Sequence, residues 1–195
     1  MKKILATLLT IAVLCVMGGW SNPQSNKVEN EFSLIDYLET HEVESYAEFE
    51  AIIDSVSPES IGEIDSDSVI DFKVDIDYDN KIVSVVTIEA PIIISSGTGN
   101  TVSRSYYNDL GIKIFKISLT AYFHYTSGSV YTASASGSFS PTALSSWSST
   151  PTISTGNYTS TLAYARISGT ATNGSSSLNY SLTMTCDDTG ELDYY

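Results

Sequence analysis

Residues 111–141, GIKIFKISLTAYFHYTSGSVYTASASGSFSP, decide the fold class. In the first half Phe115, Ile117, Leu119, Ala121, Phe123 and Tyr125 fall on one side of an extended chain. Lys116, Ser118, Thr120, Tyr122 and His124 fall on the other, so one face is buried and one is wet. The chain turns at Thr126-Ser127-Gly128-Ser129 and alternates again, with Tyr131, Ala133, Ala135, Gly137 and Phe139 set against Thr132, Ser134, Ser136 and Ser138. Two long antiparallel strands are the result.

Upstream, Ile70, Phe72, Val74, Ile76 and Tyr78 alternate with Asp71, Lys73, Asp75 and Asp77, and Asp79-Asn80 turns the chain into a partner strand over 81–90. This is a second hairpin, ended by Pro91. The stretch 95–100, SSGTGN, reads as a mobile glycine- and serine-rich loop. Downstream, 142–156 is rich in serine and threonine around Trp147 and reads as one irregular strand with loops. A strand over 158–172 then meets the hairpin signal Asn173-Gly174, beyond which Leu178, Tyr180, Leu182, Met184 and Cys186 point inward. The acidic tail 187–195 is expected to fray. Hairpins at this spacing predict an all-β, Ig-like β-sandwich over 68–195, not a βαβ fold.

Ahead of the strands the period is helical. Ser33 and Asp36 have capping-box spacing with Phe32 placed to staple onto Tyr37, and Ser45 and Glu48 repeat the spacing. Tyr46, Phe49, Ile52, Ile53 and Val56 then share one helical face, Glu42, Glu44, Glu48 and Glu50 suit the dipole at the helix start, and Pro58 stops the helix. Residues 22–67 are therefore a flexible leader followed by a short acidic helical segment that packs on a face or edge of the sheet. The first residues differ again: Lys2 and Lys3, an apolar run over 4–17, then Gly18, Gly19 and Ser21 make a secretory signal peptide over 1–21, cleaved near Ser21 or at Gly18. The run is short for a membrane span, so no integral span is expected after cleavage. Leu14 before Cys15 disfavours a lipoprotein signal. With Cys15 removed, Cys186 is the only cysteine, and the exported domain stands without a disulfide. The formal net charge of −14, with acids crowded between Glu29 and Glu89, excludes nucleic acid as a partner.

The segment 104–139, RSYYNDLGIKIFKISLTAYFHYTSGSVYTASASGSF, resembles small exported proteins of Gram-positive bacteria, in which a Tyr-Asn/Gly turn leads into a strand ending in aromatic-x-Tyr and then a small-residue strand. The resemblance covers the C-terminal half. It implies a bacterial, exported, β-rich protein and carries over no activity.

Chemistry-bearing residues are few. Asp75, Asp77 and Asp79 in DIDYDN open like a calcium loop, but Asn80 stands where that loop needs glycine and Val86 where it needs the bidentate glutamate. A solvated strand edge with a turn is the plainer reading, with calcium as the alternative and no other cofactor expected. His41 and His124 are unclustered, a site built from His124, Asp109 and a serine has no nucleophile elbow behind it, and Cys186 reads as a small buried hydrophobe, so no enzyme is expected. Asn157, Asn173 and Asn179 sit in glycan-acceptor triplets that arise by chance in such a composition. Tyrosine is the enriched residue with binding potential. Tyr122 and His124 are expected to point outward together, and Tyr106 and Tyr107 join them as candidates for stacking on sugars or on a protein partner. The function expected is that of a secreted or wall-associated non-catalytic binding protein, whose partner is a cell-wall glycan or secreted protein. The alternative is a bacteriocin-like antagonistic effector.

Overall fold

The computed structural model describes residues 32–57, 68–94, 97–143 and 145–195. The expected signal peptide, the leader and the helix-stopping Pro58 lie outside the described residues. Two helices, α1 (Leu34–Thr40) and α2 (Tyr46–Val56), precede ten strands. These are β1 (Val69–Asp77), β2 (Ile82–Glu89), β3 (Ile92–Ile94), β4 (Gly97–Asn108), β5 (Lys113–Thr126), β6 (Ser129–Pro141), β7 (Thr152–Thr159), β8 (Leu162–Asn173), β9 (Ser176–Asp187) and β10 (Leu192–Tyr194). One sheet runs β1-β2-β4-β5-β6 with β3 beside β4, the other β10-β9-β8-β7, and every pairing is antiparallel. The expected all-β sandwich is what forms.

Its core is the face foreseen on β5. Phe115, Ile117, Leu119, Ala121 and Phe123 are fully buried and meet Ala163, Ala165 and Ile167 of β8 and Leu182, Met184 and Cys186 of β9. Phe115 is the hub, with the rings of Tyr106, Phe139, Trp147 and Tyr180 at 4.4, 4.9, 5.8 and 6.0 Å. The turns at Gly128 and Gly174 carry φ of +84° and +57°, the left-handed backbone that glycine adopts without strain.

The helices cover the other face of the first sheet. Ser33 and Ser45 cap them by accepting the backbone N–H groups of Asp36 and Glu48. The return arm of the second box differs in detail, since Glu48 accepts from the N–H of Glu44 and not from that of the cap residue. Leu34, Phe49 and Ile53 pack with Val83, Val85 and Tyr107 of the sheet, and Phe72, Val74 and Ile76 join them. The apolar side of the β1–β2 hairpin, the first in chain order, thus faces the helices, while Asp71, Lys73, Asp75 and Asp77 face the side of the second sheet. Ile70 and Tyr78, expected in the inward set, are 60% and 59% exposed, Ile70 because a register shift falls between Val69 and Asp71.

Four further expectations are corrected. Gly97 to Asn100 are not loop but the buried start of β4, while Ser95 and Ser96 lie outside the described residues. A side chain at Gly97 would strike the Phe123 carbonyl, and one at Gly99 would meet the Tyr122 ring at 2.5 Å, so these glycines serve close approach between strands. The strand expected over 158–172 breaks at Ser160-Thr161 into β7 and β8. The alternation in β6 changes phase where Tyr122 pairs with Ser134 but Phe123 with Thr132; this bulge turns Val130 inward and leaves Tyr131 55% exposed. The tail does not fray: β10 pairs with β9, and Tyr195 exchanges two backbone hydrogen bonds with Thr183.

The helix layer gives a stability prediction. Phe49 is fully buried against Tyr107, with ring centroids 5.3 Å apart, so Phe49→Ala should cost about 3 kcal/mol by chemical denaturation and the half-buried Ile52→Ala clearly less. Equal, negligible losses would mean that the helices add nothing to the fold.

Candidate functional site

The outward face of β5 lies between β4 and β6, and its register builds rows of hydroxyls. Thr101 and Thr120 are hydrogen-bonded at 2.9 Å, as are Ser103 and Ser118, and the rows continue to Ser136 and Ser138 on β6. At the turn end the hydroxyls give way to rings. Tyr122 lies against Gly99, where the missing Cβ makes room for it. His124 follows two residues on, and Tyr131 reaches it across the hairpin at a centroid distance of 5.4 Å. His124, Tyr125, Thr126, Ser129 and Tyr131 enclose a shallow hollow of about 280 Å³. Tyr122 and His124 share a face as expected; the sequence alternation set Tyr131 on the side of Ala135 and Phe139, and the bulge turns it to face His124 instead.

The other expected site residues are dispersed. Tyr106 is buried in the sandwich core and Tyr107 in the helix-side core, on opposite faces of β4. Asp75 pairs with Lys73 at 3.0 Å and reaches Arg104 at 3.9 Å. Asp77 accepts from the backbone and side-chain N–H groups of Asn80, bonds that hold its carboxyl below its ordinary range. Among the described residues no three His, Cys, Asp or Glu side chains gather as metal ligands would. Asp109 accepts from the Ser33 hydroxyl and the Ile35 N–H, anchoring α1 at the end of β4 away from His124. His41 stacks on Tyr37 at 4.2 Å. Cys186 is fully buried, and burial, with Asp187 adding to it, pushes its thiol up to about 11, which leaves little thiolate at neutral pH.

A second concavity had no signal in the sequence. At one flank the two sheets are stitched together, as Val130 donates to the Ser160 carbonyl, Asn157 to that of Val130, and Thr132 to that of Tyr164. Elsewhere they part, and a cleft of about 540 Å³ opens. Ile70, Asp71, Ile88 and Ile93 line it from the first sheet, Leu192, Asp193 and Tyr194 from β10, with Thr98 and Asn100 between them. Asn100 is 1% exposed yet satisfied: its amide donates to the Tyr194 hydroxyl at 2.8 Å and its carbonyl accepts from the Thr101 N–H. Burial raises the Tyr194 phenol above its ordinary range. Another hollow holds Arg104, whose guanidinium reaches the Ser181 carbonyl at 3.2 Å while its buried Nε has no hydrogen-bond partner among the described residues.

No family model, curated protein or solved structure matches the chain. Its site is therefore read from its own geometry.

The β10 wall of the cleft hangs on one turn. Asp187 Oδ1 accepts from the Thr189 N–H and hydroxyl and from the Glu191 N–H, and these bonds, the Thr189 hydroxyl first, lower its pKa. Asp187→Ala should cost about 1–2 kcal/mol at neutral pH. A carboxyl with a depressed folded-state pKa stabilises fully above its unfolded value and stops doing so as pH falls through the folded one. The gap between wild type and variant should therefore narrow below about pH 4 in denaturant titrations, and a gap independent of pH would contradict this account.

Proposed function

We propose that the chain is a non-catalytic binding protein that works outside a bacterial cell, secreted or held at the wall, and that it takes glycan chains on the outward face of β5 and β6. One observation carries the reading: Tyr122, His124 and Tyr131 stand together at the end of a sheet face covered with serine and threonine hydroxyls. Sugar rings present flat C–H faces that stack on aromatic rings and rims of hydroxyls that exchange hydrogen bonds, and this face offers both kinds of partner side by side. Strand spacing supports an extended ligand, because rows of side chains recur at about 5 Å across a sheet. Nor is the excess of acid an obstacle to neutral sugars, since it is concentrated in the helices and the first hairpin. The signal-peptide pattern of residues 1–21 and the resemblance to exported Gram-positive proteins support the location.

Co-sedimentation of the purified protein with isolated Gram-positive walls tests the reading. The protein should pellet with the walls and be displaced by soluble wall oligosaccharide. Tyr131→Ala, at an exposed position, should weaken pelleting several-fold to about tenfold, the range expected for one stacked ring. Pelleting unchanged by Tyr131→Ala and Tyr122→Ala, or none at all, would sink the proposal.

A further inference from the structure

The cleft beside β10 shares none of the rings on which the glycan reading rests. We propose that it is a second binding site, for a small amphiphilic amine whose apolar body lies among Ile88, Ile93 and Leu192 and whose protonated nitrogen sits beside Asp71 and Asp193.

Size is the first argument. The cleft holds about 540 Å³, inside the span of roughly 300–1,000 Å³ typical of small-molecule sites. Its mouth is the second. Ile70 and Ile93 are 60% and 80% exposed there, and large apolar side chains gathered at the rim of a concavity mark a ligand site. Charge selects the class of occupant. Among the described residues the lining carries the carboxylates of Asp71 and Asp193 and no Lys, Arg or His. Each carboxylate is oriented by accepting the N–H of the following residue, Phe72 or Tyr194, at 2.8 Å. Both stand at the solvent edge, where an ammonium group keeps part of its hydration while its hydrocarbon leaves water. A carboxylate or phosphate ligand would meet like charge in a chain already at −14.

The test compares three probes with one tail. Octylammonium, octanol and octanoate are titrated into the full chain by calorimetry at physiological salt, below their aggregation limits. Octylammonium should bind about fivefold more tightly than octanol, the scale expected of two partly solvated ion pairs, with octanoate weakest. In the Asp71→Asn, Asp193→Asn double variant the advantage should vanish while octanol binding stays. Ile93→Ser, at an exposed position, should weaken all three probes; Tyr131→Ala should change none, which separates this site from the glycan face. Octanoate binding as well as octylammonium, a cation preference that survives the double substitution, indifference to Ile93→Ser, or no heat with any probe would each overturn the proposal.

Discussion

Much of the structure depends on β4 having almost no side in water. Val102 and Tyr106 enter the sandwich core while Tyr107, on the other face, meets the helices, and most residues between are buried too. Two-sided burial restricts what the strand can carry. Its hydroxyls and amide are tolerable only because they are paired, Ser103 with Ser118 and Asn100 with Tyr194 and Thr101, since an unpaired polar group in such a place costs about 1–3 kcal/mol. Its glycines are tolerable because neighbouring strands fill the space they leave. The first hairpin, the helices and β10 all take their places from this strand or its neighbours.

The same burial explains what was legible beforehand. β5 has one dry and one wet face, so its alternation announces both strand and orientation. The helices were legible through Ser33 and Ser45, whose caps form as the spacing implies. β4 was not, because a strand covered on both faces loses the period of two, and its opening glycines mimic a loop. The break at Ser160-Thr161 also escaped, since it lacks the glycine, proline or asparagine that usually marks a turn.

The two concavities differ in legibility for a related reason. Tyr122 and His124 are two residues apart on one strand, so their partnership is local and visible. Tyr131 depends on one extra residue in β6, and that insertion reverses which side chains look outward without disturbing composition. The cleft is assembled from β1, β2, β3, β4, β5 and β10. Such a site exists only in the pairing of distant segments, and no local pattern encodes it.

The order of strands has a consequence for how the chain can reach this state. Within each sheet the strands pair with neighbours along the chain, except that β2 pairs with β4 and skips only the three-residue β3 that lies along the same neighbour, and among the described strands the chain passes from one sheet to the other once, between β6 and β7. Short loops are inexpensive to close, and hairpin connections of this kind keep strand pairing between neighbours along the chain. A chain delivered end-first can therefore extend the first sheet strand by strand before the second exists. The fully buried Cys186 belongs to β9 of the second sheet, and packing, not a bond to another cysteine, holds it there.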